Sequence, residues 1–401
     1  MFKQKKFIAL IPARGGSKRI PKKNIKPLLG RPLIYYSIQQ AKEVKYIDEI
    51  YVSTDNEEIR EIARNFGVTV IKRPKYLATD VSSTEDVILH VISTLIKQQK
   101  IDLDNSFVIL LQPTSPLRYS DDIEKAIEKI VRDRGDSLLG VCKNDKFLWS
   151  QEGSSLNYDF KYRPRSQDKK WEFIETGALY ITRLSLFMKM KNRICGKILF
   201  YEQPRECGFE IDDEFDWKLV EFLMREFYFP KQYSKILEKI KLVIMDVDGV
   251  LTDGGVYYDS KGEKLLKFNR RDGKGIELLK KFGYVTGVMT SEDSQIVKKR
   301  AEKLKFDFFL CGVRDKRQAL NSILKKYKVT LEEILFIGDD IQDLEVLEMV
   351  GFSACPYDSI EPVKNKCIYI CKSKGGEGAV REVIDLLLKG VERSQLFKIK
   401  K

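Results

Sequence analysis

The sequence predicts an α/β protein made of two doubly wound domains, each with a mostly parallel sheet. Three observations predict it. Apolar strand-like runs alternate with amphipathic helical stretches from end to end. The rhythm pauses once, around Glu221–Glu238, and then restarts on a strongly apolar run. The chain has 401 residues, and at about 150 residues per domain that is room for two or three domains. A hydrophobic share of 43% supplies sizeable cores and argues against a disordered chain.

In the first part, Phe7–Ile11, Ile50–Ser53, Val68–Ile71, Phe107–Leu111 and Ser137–Val141 read as buried strands. Between them, Leu33–Glu43, Glu57–Phe66 and Asp121–Asp133 carry helical periodicity. Pro230 interrupts the helical pause. Leu242–Val247, Val285–Met289 and Ile334–Ile337 then read as parallel strands of the second part. The expected division is 1–230, 238–392 and a basic, frayed tail at 393–401.

Composition excludes several classes of function. The net charge is +13, with 72 Lys and Arg against 59 Asp and Glu. The excess is +8 in residues 1–240 and +5 in the remainder. Such an even spread is not the stripe or tail of a nucleic-acid binder, so no nucleic-acid partner is expected. Small polyanionic substrates such as nucleotides and phosphate esters suit it. No apolar stretch approaches the ~18 residues of a membrane span, and the run Phe7–Pro12 is too short for a secretion signal. A cytoplasmic protein without a membrane partner is expected. Seven cysteines without a CxxC pair read as reduced thiols. There is one histidine, His90, which falls on the polar side of an amphipathic helix and reads as solvated. Acid–base and nucleophilic work must then fall to carboxylates, Lys or Thr.

The first strand runs into PARGGSKRIPKKN, Pro12 to Asn24. Gly15 and Gly16 remove side chains where the backbone turns, so N–H groups can meet an anion, and Arg14, Lys18, Arg19, Lys22 and Lys23 surround the turn. The position suits a nucleoside triphosphate, because α/β sheets bind ligands at strand C-terminal edges. The GxxxxGK[ST] pattern of a P-loop is absent. VSTD, QPTSPLR and ETGALYI follow in order. GFEIDDEFDW then crowds acidic residues together, and strand alternation in Glu210-Ile211-Asp212 would put two carboxylates on one face. Carboxylates so placed suit a hard Mg²⁺ ion shared with a triphosphate.

IPARGGSKRIPKKN, VSTD, QPTSPLR and the acidic segment together resemble the CMP-sialic acid synthetases, over residues 5 to about 228. The resemblance implies a Rossmann-like nucleotidyltransferase that moves CMP from CTP to the anomeric hydroxyl of a nonulosonic acid and releases pyrophosphate. It implies that Arg14, Ser17, Lys23 and Asn24, with the Gly15-Gly16 turn, hold CTP. Gln112, Arg165 and Tyr180 would face the sugar, and Asp212 would bind metal. The family usually has Asp-Ile-Asp where this chain has Glu210-Ile211-Asp212. Glu210 can still ligate, with a longer reach. Arg165 would meet the sugar carboxylate.

In the second part, DVDGVLTD (Asp246–Asp253) ends a buried strand, and two aspartates two apart at a strand end project to the same side. One can attack phosphorus while the other moves protons. Thr290 closes the strand Val285–Met289, Lys316 sits in GVRDK, and Asp339, Asp340 and Asp343 lie in IGDDIQD. The set resembles the haloacid dehalogenase superfamily, and within it the 3-deoxy-manno-octulosonate 8-phosphate phosphatase family, from about 240 to 390. FNRRDGKG and GGEGAVRE add to the match. The resemblance implies Asp246 as nucleophile and Asp248 as acid/base. Mg²⁺ would sit between Asp246, the Asp248 carbonyl and Asp339, with Thr290 and Lys316 on the phosphoryl oxygens. It also implies a homotetramer, in which a neighbour's GGEGAVRE-like segment helps close each site. Where those phosphatases continue Ser-Gly-Arg, this chain has Thr290-Ser291-Glu292. The segment through Lys303 looks more like the branch acting on nine-carbon 9-phosphates, and Lys303 could pair with Glu292 near the sugar. The expected whole is therefore a cytidylyltransferase with a nonulosonate 9-phosphate phosphatase. A monofunctional synthetase whose second domain only assembles a tetramer is the alternative.

Overall fold

The computed structural model describes residues 1–165, 168, 172–260 and 262–399. The chain forms two compact units, Met1–Tyr228 and Phe229–Lys401.

The first unit is built on a seven-stranded sheet. Its order from one edge is Thr69–Lys72, Glu49–Thr54, Lys6–Pro12, Ser106–Leu110, Glu172–Arg183, Ser137–Asn144 and Ile198–Glu202. The first four strands are mutually parallel. Alternate residues of Lys6–Pro12 enter different cores. Phe7, Ala9 and Ile11 pack with Ile34, Ile38, Ile123 and Ile127 on one face. Ile8 and Leu10 pack with Ile88, Val91, Ile92 and Leu95 on the other. A strand covered on both sides must be apolar at every position, and the sequence shows this as an unbroken run. The sheet is not parallel throughout. Glu172–Arg183 runs antiparallel to both its neighbours. Its apolar run carries no mark of direction, which only the path of the preceding chain decides. His90 lies half-buried on the helix Thr84–Lys97 instead of solvated, with its Nδ1 enclosed.

The second unit has a six-stranded sheet, all parallel, in the order Phe308–Leu310, Val285–Met289, Leu242–Met245, Ile334–Ile337, Phe352–Cys355 and Tyr369–Ile370. An antiparallel hairpin, Thr252–Asp259 with Gly262–Phe268, leaves the sheet just after its central strand. The last helix, Ala379–Ile399, runs through the segment read as a frayed tail. Among the described residues, no helix is long and apolar enough to cross a membrane, and none of the seven cysteines is in a disulfide.

Candidate active sites

In the first unit, a cavity of about 590 Å³ opens at the C-terminal ends of the parallel strands. Arg14, Ser17, Lys23, Asn24, Gln112, Glu210 and Asp212 all line it, although up to 198 positions separate them in the chain. The loop after Pro12 is held locally. Gly15 N–H donates to Asp55 at 3.0 Å. A Cβ on Gly15 would come within 2.8 Å of the Asn56 Cβ, whereas one on Gly16 would meet nothing within 4 Å. Close approach therefore requires only the first glycine. Lys22 takes a left-handed backbone, φ 52°, ahead of the short helix Lys23–Ile25, a conformation that costs about 1 kcal/mol outside glycine. Lys23 Nζ donates to Ile211 O at 2.8 Å and lies 3.7 Å from Asp212. Burial pulls this ammonium below its ordinary value, against the opposing pull of Asp212. Ser17 Oγ accepts from Lys23 N–H at 3.3 Å, and Asn24 Nδ2 donates to Arg14 O at 2.9 Å.

The acidic segment is not a strand. Glu210, Ile211 and Asp212 have no regular secondary structure and are tied by Ile211 N–H to Thr114 O at 2.8 Å. Part of its acidity serves the helix Glu214–Leu223: Asp213 accepts from Phe215 and Asp216 N–H, and Asp216 reaches back to Asp212 and Asp213 N–H. That leaves Glu210 and Asp212 on the cavity wall. Burial, then the charge of Asp212, pushes the Glu210 carboxyl upward. Gly177, at φ +66°, makes room for it, since a Cβ there would sit 1.3 Å from Glu210 Oε1.

Two expected sugar-side residues do not line this cavity. Tyr180 is buried in the apolar core of its strand, and its hydroxyl donates to Glu175 at 2.7 Å. An aromatic ring at an inward strand position gains more from core packing than from a polar cleft. Arg165 is exposed and paired with Asp168 at 2.8 Å. Two charged residues line the cavity that motif reading passed over. Arg73 directly follows an edge strand and binds Ser53 Oγ and O at 3.1 and 2.7 Å. Asp80 pairs with Arg14 at 2.9 Å and Lys18 at 2.5 Å. A basic residue at a strand C-terminal end was the available signal for Arg73.

In the second unit, register does the assembling. Asp246 follows the central strand and bonds through N–H to Ile337 O at 2.9 Å. Met245 lies beside both Val288 and Ile337, so Thr290 and Asp339 emerge at the same sheet edge. Lys316, almost wholly buried, donates to Asp246 at 2.8 Å and to Asp343 at 2.6 Å. Asp246, Asp339 and Asp343 bring carboxylate oxygens within 4.8 Å of one another. Three carboxylates against one ammonium leave the cluster short of positive charge. Burial and then Asp246 push Asp339 up to about 8, and burial and then Asp343 raise Asp246 as well. Asp339 Oδ1 is enclosed with no hydrogen-bond partner. An orphaned buried carboxylate oxygen in an all-oxygen, anionic cluster fits a hard divalent cation. Gly249, at φ +72°, lets the loop approach, because a Cβ there would lie 2.0 Å from Asp339 Oδ2.

Asp343 was legible only as one acid of IGDDIQD. Its place is central: it binds Lys316 and accepts from Asp339 N–H at 2.9 Å. Thr290 is buried, and its Oγ1 accepts from Glu292 N–H at 3.2 Å. Asp248 sits half-buried on the same loop as Asp246. Glu292 and Lys303 are both exposed. Among the described ion pairs none joins them, and the aspartate beside Glu292, Asp293, takes Lys298 instead at 2.5 Å. GGEGAVRE packs on its own chain: Gly376 N–H donates to Val250 O at 3.0 Å, and a Cβ on Gly375 would lie 1.9 Å from Gly249 O.

A cation-lined cavity at the ends of the parallel strands of a mixed sheet and a buried Asp–Lys–Asp cluster over a second sheet define a nucleotidyltransferase joined to a phosphatase-type hydrolase. The cytidylyltransferase family model matches residues 8–158, and the haloacid dehalogenase-like hydrolase model matches residues 276–384. N-acylneuraminate cytidylyltransferase A of Danio rerio is 33% identical over 407 residues, covering 98% of this chain and 92% of the relative. The 3-deoxy-D-manno-octulosonate 8-phosphate phosphatase of Haemophilus influenzae is 38% identical over 161 residues, 40% of this chain and 89% of the relative. A solved 3-deoxy-D-manno-octulosonate 8-phosphate phosphatase from Moraxella catarrhalis, in complex with magnesium ion, phosphate ion and a KDO molecule, is 34% identical. It covers 42% of this chain and 97% of that one, with a TM-score of 0.40. The chain belongs to the N-acylneuraminate cytidylyltransferases, with a haloacid dehalogenase-type domain at its C-terminal end.

Proposed function

We propose that the first unit transfers CMP from CTP to the anomeric hydroxyl of a nonulosonic acid, and that the second hydrolyses a nonulosonate 9-phosphate to supply that acid. The observation that carries the first reading is the single cavity uniting Arg14, Ser17, Lys23, Asn24 and Gln112 with Glu210 and Asp212. The anomeric oxygen attacks the α-phosphorus, the bond to the β-phosphate breaks, pyrophosphate leaves, and the hydroxyl proton passes to solvent. Charge gathers on the phosphate oxygens, and Arg14 and Lys23, both on the cavity wall, would meet it. Gln112 contacts the sugar. Glu210 and Asp212 would hold Mg²⁺, which when bound offsets the triphosphate charge.

In the second unit Asp246 attacks phosphorus and forms an aspartyl-phosphate as the sugar oxygen leaves. Asp248 gives that oxygen a proton and later takes one from the water that releases phosphate. Lys316 and Thr290 hold the phosphoryl oxygens. Asp246, the Asp248 carbonyl and Asp339 would hold Mg²⁺, which when bound draws charge from the phosphoryl group. The buried Lys316 between Asp246 and Asp343 supports an active domain over a purely assembling one. A homotetramer belongs to this reading, and sedimentation equilibrium tests it.

The deciding experiment incubates the protein with CTP, Mg²⁺ and N-acetylneuraminate, legionaminate or deaminoneuraminate, and measures pyrophosphate. A second arm compares phosphate release from nine-carbon 9-phosphates and eight-carbon 8-phosphates. No pyrophosphate with any acid sinks the first reading. Preference for the 8-phosphate sinks the second.

Three variants probe the metal end of the cavity. Asp212→Ala is expected to slow CMP transfer more than Glu210→Ala across a Mg²⁺ titration, because Asp212 alone keeps the family's residue type. A slower Glu210 variant reverses the assignment. Gly177→Ala forces a side chain into Glu210 at a left-handed backbone position. It is expected to lower stability by about 1–2 kcal/mol and CMP transfer by about tenfold or more. Thermal melting and initial rates check it, and a rate within about twofold of the parent would show that the placement of Glu210 is immaterial.

A further inference from the structure

Among the described residues Arg118 is the largest fully buried side chain, and every acceptor it reaches is neutral. Its Nε donates to Ala178 O. One Nη donates to Gln40 Oε1 at 2.8 Å and Ser37 Oγ at 3.3 Å, and the other to Gln112 O at 2.9 Å. Gln40 is itself fixed, since its Nε2 donates to Pro116 O at 2.7 Å and Tyr228 OH at 3.0 Å. One fork thus joins the helix Leu33–Glu43, the loop after Ser106–Leu110 and the antiparallel strand Glu172–Arg183.

Burying a cation whose hydrogen bonds all go to neutral acceptors is costly even with the charge of Glu210 acting on it, and apolar packing serves plain stability at least as well. What the guanidinium adds is geometry, because its five N–H groups point in fixed directions at acceptors from separate segments. Those acceptors surround Gln112. Its main-chain oxygen is held by Arg118, and its Nε2 donates to Gly177 O at 3.1 Å, one residue from the Ala178 carbonyl that Arg118 also holds. With one amide N–H engaged there, the plane of the Gln112 amide is set, and its oxygen can accept from a substrate hydroxyl or N–H in the cavity.

We propose that Arg118 is a positioning residue for cytidylyl transfer, which fixes Gln112 and the Gly177–Ala178 backbone so that the sugar acid meets a preset hydrogen-bond acceptor. This rests on the reading of Gln112 as a sugar contact. Arg118 does not line the cavity and acts through Gln112.

The test is a double-mutant cycle of Arg118→Lys and Gln112→Ala in the full chain, with KM measured separately for CTP and for the sugar acid. Lysine keeps the charge but cannot span the acceptors. R118K is expected to raise the sugar KM about tenfold and leave the CTP KM within about twofold. In the Q112A background it is expected to add less than about twofold, since residues acting as one unit are not additive. Multiplying effects, an unchanged sugar KM in R118K, or an equal rise in CTP KM overturns the proposal. If Q112A alone leaves the sugar KM unchanged, the reading of Gln112 falls and takes this proposal with it. Should R118K fail to fold, Gln40→Met removes one acceptor of the same fork and carries the same expectations.

Discussion

Asp246→Asn is expected to abolish phosphate release from a nonulosonate 9-phosphate while CMP transfer to the free acid continues. The amide is nearly isosteric with the carboxylate but cannot form the aspartyl-phosphate, so the loss should be several orders of magnitude. The fold should persist. Asp246 Oδ1 accepts from Val247 N–H at 2.7 Å, which an amide oxygen can also do. Lys316 keeps Asp343 at 2.6 Å as its charged partner. Removing the Asp246 charge also relieves part of the upward push on Asp339, which comes from burial first and from Asp246 second. Both products can be assayed on one preparation. Residual phosphate release within about tenfold of the parent would mean that Asp246 is not the nucleophile.

Lys23→Ala is expected to give the opposite pattern. CMP transfer should fall by about 10²–10³, the usual loss when one preset charge donor is removed from a transition state. Phosphatase turnover should stay unchanged, because Lys23 and Asp246 belong to separate compact units. Lys23 is half-buried, and its ammonium bonds a main-chain carbonyl, Ile211 O, so the variant also frees the segment that carries Glu210 and Asp212. Adding Mg²⁺ should therefore restore little. Recovery of the parent rate at high Mg²⁺ would assign Lys23 to metal positioning alone. Equal loss of both activities in a folded variant would contradict two independent sites.

Much of both sites was legible because their residues sit at strand ends, where chain pattern and location coincide. Arg14 and Lys23 follow one strand, Gln112 another, and Asp246, Thr290 and Asp339 follow three more. Residues whose role depends on a distant neighbour were misread. Tyr180 looked like a pocket residue because its motif was near one, yet strand alternation turned it into the core. The GFEIDDEFDW acids looked alike, but two of them cap a helix. Arg118 carried no sign of its burial, since a lone arginine in a loop reads as solvated.

The sequence by itself determined the α/β class, the pause between two units, and the kinds of chemistry available with one histidine and many strand-end carboxylates. These are local properties: apolar period, turn residues and the residue type at a strand terminus. Only the tertiary structure decided the rest. It set the antiparallel course of Glu172–Arg183, brought Gly177 against Glu210, and put Lys316 between Asp246 and Asp343. Each joins residues tens of positions apart, through register and close packing that no local window encodes. A glycine that must yield space, or a lysine that must find two carboxylates, is recognisable only once the opposing chain is in place.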